Sequence, residues 1–329
     1  MAPAKEVGHR VRISRPPRAL LLAAFGVVVW MASGMARGDT FFMTVAGLGG
    51  ESDYEQRFTA LAADLDRILK GAGAATHVVT LAGAAATRAG LMKALQTIAE
   101  QAGADDDFVL ILIGHGSFDA QQYKLNLIGP DISAAALARL CDQIAARRQL
   151  IVNTTSSSGA SIAALARQGR AVIAATKSGT EKNATVFARY WVDALRDPTA
   201  DVDKNDSINA LEAFRYAAAK TASFYESQKR LATEHAVFAD SGGTAAVRTA
   251  STSSGAGRQL SSFILVRFGE AGVAVADPAK RDLLARKEQL EARVDALKYQ
   301  RAAMSPEDYK QQLTEALVAL AKVQEELEK

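Results

Sequence analysis

The sequence predicts an α/β protein: a mainly parallel sheet covered by helices on both faces, followed by an α-helical hairpin. Three observations carry that prediction. Short runs rich in Val, Ile, Leu and Phe alternate with stretches of helical spacing through the middle of the chain. One run, "FVLILI" (108–113), is apolar at every position, as a central strand buried on both faces should be. From residue 278 the strand-like runs stop and apolar residues recur at three-four spacing among charges. At 329 residues, 49 % hydrophobic and 23 % charged, the chain has the composition of a folded globular protein.

The N-terminus stands apart. Lys5, Arg10, Arg12, Arg15 and Arg18 precede an apolar run from Ala19 to Ala32, and "SGMARGD" follows. A basic region, a short hydrophobic region and small residues are the order of a secretory signal, with cleavage expected after Ala36. The run is shorter than the roughly 20 residues of a spanning helix; the alternative is an uncleaved N-terminal anchor. Either way the rest of the chain is expected to be exported, periplasmic or secreted, with membrane contact only through segment 1–36. That segment carries five Lys/Arg and one Glu, so losing it takes the formal charge from +3 to about −1. The mature chain makes no case for nucleic acid.

"TFFMTVAGL" (40–48) reads as a strand stopped by Gly49-Gly50, and 52–70 as a helix with Phe58, Leu61, Leu65, Ile68 and Leu69 on one face. Then come a strand (76–81), a helix (87–102), the strand 108–113 and a short extended piece, "YKLNL" (123–127). A helix over 133–147 and a strand, "LIVNTT" (150–155), follow, then a strand at 171–176 and a helix at 184–195. Ligands of such a sheet should lie at the carboxyl ends of the strands. Three loops fall there: Gly49-Gly50, His115-Gly116 and 154–161. "GLGGES" lacks the glycine spacing of a nucleotide loop, and Glu51 would repel a phosphate. Cys141, the only cysteine, shares a helical face with Leu137, Leu140 and Ile144 and reads as a small core residue. His77 falls inside a strand, and His235 reads as a helix residue bonded to a neighbour.

"LILIGHGS", ending in a strand-tip histidine, and "IVNTTSSSGAS" about 40 residues later resemble, in order and spacing, the two active-site motifs of the caspase/legumain-like cysteine peptidases. "AVIAATKSGTEKN" resembles their next strand and the loop beside the substrate pocket. The resemblance covers roughly 39–240, within a domain expected to span 39–270, and implies a caspase-like three-layer sandwich. It implies His115 as the base, with Gly116, Lys177, Ser178 and Glu181 lining a substrate pocket for a peptide or protein ligand. Aligning Ser158-Gly159 puts Ser156 where the family has its cysteine. A hydroxyl holds its proton far more tightly than a thiol and needs an aligned base and an oxyanion hole. Two readings follow. In one the chain is a non-catalytic homologue, a pseudopeptidase serving as a binding or scaffold module. In the other it hydrolyses peptides with Ser156, or Thr155, as nucleophile.

"DVDKNDSINALE" (201–212) has the spacing of an EF-hand loop: Asp201, Asp203, Asn205, Ser207 through its carbonyl, Asn209 and Glu212 at positions 1, 3, 5, 7, 9 and 12. Position 6 is Asp206 where glycine is expected, so a positive φ must be borne by an aspartate. The readings are a structural Ca²⁺ or an acidic capped turn without metal. Past "SSFILVRFG" (261–269), a last strand, Leu283, Leu290, Val294 and Leu297 form one stripe and Leu313, Leu317, Leu320, Val323 and Leu327 another. "MSPED" between them supplies an N-cap and a helix-starting proline. This hairpin or small coiled coil (278–329) offers a seam either to its own domain or, as the favoured reading, to a partner or a second copy.

Overall fold

Five short runs rich in apolar residues lie between 40 and 174, and each forms a strand of one sheet. The computed structural model describes residues 38–72, 76–240 and 242–329; the basic-apolar segment 1–36 lies outside the described residues. The first strands and helices are β1 (Thr40–Ala46), α1 (Ser52–Lys70), β2 (Thr76–Leu81), α2 (Arg88–Gln101) and β3 (Asp107–Ile113). A small antiparallel sheet follows, β4 (Gly116–Phe118), β5 (Tyr123–Leu125) and β6 (Ile132–Ser133), leading into α3 (Ala134–Cys141). The main sheet resumes with β7 (Arg148–Asn153), α4 (Ile162–Leu165), β8 (Arg170–Ala174) and α5 (Phe187–Ala194). Then come β9 (Ser207–Asn209), α6 (Ala210–Ser227), β10 (Val237–Ala239), α7 (Arg258–Ser262) and β11 (Ile264–Arg267). The chain ends in α8 (Gly269–Ala276), α9 (Pro278–Gln300) and α10 (Pro306–Leu327).

The six-stranded sheet runs β10-β8-β7-β3-β1-β2, parallel except for β10 against β8. Period-two alternation sorts its side chains into two cores. Phe42, Val109, Ile111, Leu150, Val152 and Ile173 face α1, α5 and α6. Met43, Leu110, Leu112, Ile151 and Val172 face α2 and α3. The result is a three-layer sandwich with helices on both faces of a mainly parallel sheet. Cys141 is fully buried in the second core, and burial pushes its thiol up to about 12, which makes it inert packing. The chain steps from β1 to β2 on one side and to β3 on the other, so the crevice of the sheet opens at the carboxyl ends of β1 and β3.

Three local expectations differ from what forms. The helix expected over 133–147 ends at Cys141, because Gln149 reaches back from β7 to the carbonyls of Cys141 and Ile144. The strand expected over 150–155 ends at Asn153, leaving Thr154 and Thr155 in the turn beyond it. His235 lies in no helix: α6 stops at Ser227 and His235 precedes β10. At the other edge of the sheet, His77 on β2 stacks on Phe41 with centroids 4.4 Å apart and bonds Asp39 at 2.7 Å.

The C-terminal helices are antiparallel: Lys280 near the start of α9 donates to the Leu327 carbonyl at the end of α10. The stripe on α9 is covered, with Leu290 and Leu297 buried. Arg267 of β11 and Glu288 of α9 form a buried ion pair at 2.5 Å. The first helix of the hairpin therefore packs on its own domain, while α10 keeps Leu317 and Val318 about half exposed. Among the described residues no helix is long and apolar enough to cross a membrane.

Candidate functional site

The two motif loops leave the carboxyl ends of β3 and β7, which are direct neighbours with Leu112 opposite Asn153. His115 and Ser156 therefore sit at adjacent strand tips of one sheet. The Thr154 amide and hydroxyl both donate to the Leu112 carbonyl, at 2.9 and 2.7 Å, extending the pairing past the end of β7 and seating the serine turn beside His115-Gly116.

Their side chains face different partners. Ser156 Oγ accepts from the Gly116 amide at 3.1 Å and donates to the Gly116 carbonyl at 3.0 Å. The hydroxyl proton is engaged by backbone, and Ser156 is 2 % exposed. The imidazole lies edge-on to Tyr54 and Phe58 of α1, centroids 4.7 and 5.1 Å away. A backbone hydrogen bond with Gly49 and the charge of Glu51 act to raise its pKa, yet burial outweighs both and holds it below the ordinary histidine value. Among the described residues no hydrogen bond joins His115 to Ser156. The ring is neutral at neutral pH, as a base should be, but is not bonded to the hydroxyl it would have to deprotonate.

Thr155 is placed worse for catalysis. Fully buried, it bonds Tyr123 Oη at 2.6 Å and donates to Asn153 Oδ1 at 2.8 Å. Asn153 holds Ser161 Oγ at 3.0 Å, and the Ser158 and Thr176 hydroxyls lie 3.2 Å apart. This buried polar network pins the turn from below. Gly116 must be glycine, since a Cβ there would run into the Tyr123 ring, the Ser156 carbonyl and Thr155 Oγ1.

The expected pocket loop does lie against this turn. The Ser157 amide donates to the Glu181 carbonyl at 2.8 Å, and Gly159 packs on Lys177 and Ser178. Glu181, however, is a brace within the loop. Its carboxylate accepts from the Lys177 amide at 2.9 Å and the His235 amide at 3.1 Å, and meets His235 Nδ1 at 2.5 Å. Lys177 is exposed, and the Ser178 hydroxyl bonds Thr180 at 2.8 Å. Sequence reasoning missed Tyr54, Phe58, Asn153 and His235 as parts of this neighbourhood. Tyr54 and Phe58 did carry a signal, an aromatic i,i+4 pair just after a strand-end glycine loop. His235 had none, being joined to Glu181 across 54 residues.

In the loop 201–212, Asp206 has φ 66°, the left-handed turn that spacing demanded. Carboxylate oxygens of Asp201, Asp203 and Glu212 converge within 4.8 Å of one another. Burial raises the pKa of Asp203, with the neighbouring Asp201 charge adding to it, and burial raises Glu212 as well. Two expected ligands are otherwise engaged. Asn205 Oδ1 accepts from the Ser207 amide and hydroxyl, at 2.9 and 2.6 Å. Asn209 Oδ1 caps α6 through the Leu211 and Glu212 amides, at 3.0 and 3.1 Å. In place of a paired EF-hand loop, β9 pairs with β11 of the same domain.

A three-layer sandwich with a strand-tip His-Gly beside a hydroxyl-rich turn is the class of structure that fold and site define. No protein-family model matches the chain, and no curated protein matches it in sequence. Among solved structures it is similar to the Drosophila initiator caspase Dronc, at 10 % identity and a TM-score of 0.43, over 61 % of this chain and 79 % of that one. It is likewise similar to protein GSU0716 from Geobacter sulfurreducens, at 13 % identity and 0.42, over 62 % and 92 %. Both are likenesses of chain path at low identity; the chemistry of the site rests on this chain's own geometry.

Proposed function

We propose that this chain is an exported caspase/legumain-like peptidase homologue without catalysis, a pseudopeptidase that uses the crevice at the ends of β1, β3 and β7 to hold a peptide or protein ligand. The observation that carries this reading is the state of Ser156. Its hydroxyl both donates to and accepts from the backbone of Gly116, while the neighbouring imidazole packs against α1. A serine nucleophile needs its proton on a base and free N–H donors aimed at the developing oxyanion. Here the serine itself occupies the nearest such donor. The purified chain, treated with a fluorophosphonate probe, is expected to remain unlabelled while folded. Labelling that disappears in Ser156→Ala and persists in Thr155→Ala would instead establish a serine hydrolase with His115 as base.

The same proposal gives the loop 201–212 a structural calcium ion held by Asp201, Asp203 and Glu212. Three gathered carboxylates of raised or buried character are the donor set of a hard cation. A native-state ion raises apparent stability, so melting in millimolar calcium is expected several degrees above melting in chelator. Coincident melts would leave the loop as a metal-free capped turn. Export is tested by the mass of the mature protein, which should begin after Ala36 or retain the whole segment as an anchor.

A further inference from the structure

We infer that Glu55 of α1 is a positioning residue for His115: acting through the Gly49 backbone, it fixes which ring nitrogen carries the proton and leaves the other as an acceptor for a hydrogen-bond donor of the ligand in the crevice. The role of the ligand rests on the proposed function; the positioning does not. The loop after β1 is held residue by residue. The Gly47 amide donates to the Ile113 carbonyl at 2.8 Å, and the Leu48 amide to the Asn126 carbonyl at 3.0 Å. The Gly49 amide donates to Glu55 Oε2 at 2.9 Å, in the first turn of α1. The approach is so close that a Cβ on Gly49 would lie 2.4 Å from the Glu55 nitrogen. Gly50, at φ 78°, then turns the chain into the helix.

Held in this way, the Gly49 carbonyl accepts from the imidazole N–H. The His115 backbone is fixed separately, its carbonyl accepting from the Asn126 amide at 3.1 Å. Tyr54 and Phe58, on the same turns of α1 as Glu55, meet the ring edge-on. A hydrogen bond donated by one imidazole nitrogen sets the tautomer and makes the second nitrogen an acceptor. Among the described residues nothing bonds that second nitrogen, and His115 is only half-buried. The neighbouring Gly116 amide is engaged by Ser156 Oγ, and the charge of Glu51 acts on the ring. At this point the crevice therefore offers an acceptor beside a carboxylate, so a ligand binds here through an N–H or O–H of its own and not through a carboxylate.

Long-range proton–nitrogen NMR spectra of the full folded protein at about pH 8, where the ring is neutral, read the tautomer directly. Wild type should show one protonated and one bare nitrogen at His115. Glu55→Asp keeps the charge at the start of α1 but is one methylene too short to reach Gly49. It should draw the two nitrogen shifts toward each other, as should Glu55→Ala. Glu55→Gln keeps an acceptor of the same reach and should restore the wild-type pattern. Glu51→Gln should lower the His115 pKa, since that charge acts to raise it, and leave the tautomer unchanged. A mixed tautomer in wild type, an unmoved one in both Glu55→Asp and Glu55→Ala, or a Glu55→Gln that behaves as Glu55→Ala overturns the positioning role. A lower melting temperature with an unmoved tautomer would make Glu55 a purely structural residue and overturns it too. Of two small probes, acetamide should shift the bare nitrogen and sodium acetate should not; acetate shifting it equally, or neither shifting it, overturns the role of the ligand alone. Fluorophosphonate labelling is scored separately and decides only the proposed function.

Discussion

At Ser157 the backbone sits at φ 56° in a fully buried turn, and its hydroxyl has no hydrogen-bond partner. Both features cost stability: a left-handed non-glycine residue costs roughly 1–2 kcal/mol and a buried unsatisfied hydroxyl about as much. Glycine would relieve both while adding unfolded-chain entropy worth up to about 1 kcal/mol. Ser157→Gly is therefore expected to stabilise the fold by about 1 kcal/mol in urea unfolding, and Ser157→Ala by less, because alanine keeps the strained φ. A glycine variant less stable than wild type would mean that the turn is unstrained. His115 makes the second prediction at this scale. Its folded pKa lies below the ordinary 6.5, because burial disfavours the imidazolium. The unfolded chain then binds the proton first as pH falls, so this residue subtracts stability from about pH 6.5 downward until the folded pKa is passed, and contributes no pH dependence above. The His115 Cε1 proton should titrate below 6.5, and His115→Gln should flatten the acid side of the stability profile. That His115 and Ser156 sit at strand tips was legible in the sequence, and the resemblance of the two motifs implied that the tips are adjacent, which the β3–β7 pairing bears out. Where the ring and hydroxyl point was not legible, because Tyr54, Phe58 and the Gly116 backbone decide it.

Among the elements, α5 shows how distant residues set a helix. Val186 precedes it and offers no side-chain cap. Glu234 does the capping from 48 residues away, accepting from the Val186 and Phe187 amides at 2.7 and 3.2 Å. Tyr225 at the end of α6 donates to the same carboxylate at 3.0 Å. Glu234 is 3 % exposed, so its removal strands the Val186 and Phe187 amides and leaves the Tyr225 hydroxyl with Thr233 alone. Glu234→Ala should cost about 2–3 kcal/mol, and Glu234→Gln, which keeps an acceptor, distinctly less. Equal losses would make the carboxylate charge, rather than the hydrogen bonds, the source of stability. The helix at 184–195 was legible from its apolar spacing. The break in α6 was not: Glu234 and His235 bind α5 and Glu181, and those tertiary bonds override local helix propensity.

Across the whole molecule, the C-terminal hairpin is joined to the sandwich through a buried charge pair. Burial lowers the Arg267 guanidinium to about 10, and Glu288 meets it at 2.5 Å. Removing one partner leaves a buried charge uncompensated, so Glu288→Ala should destabilise by about 3 kcal/mol. Replacing both residues, Arg267→Met with Glu288→Leu, should recover most of that loss. A single variant as stable as wild type in denaturant would show that α9 does not stabilise the sandwich. By the same logic, a chain ending at Asp277 is expected to lose cooperative folding, because it exposes the surface that Leu290 and Leu297 cover. The sequence by itself determined the alternation of strand and helix, the strand-tip positions of His115 and Ser156, and the two helical stripes at the end, since each is written in local periodicity and spacing. Only the tertiary structure decided which hydrogen bonds hold Ser156, what caps α5 and which face of the hairpin is covered. Those outcomes join residues tens of positions apart, and a contact between distant segments leaves no periodic trace in either of them.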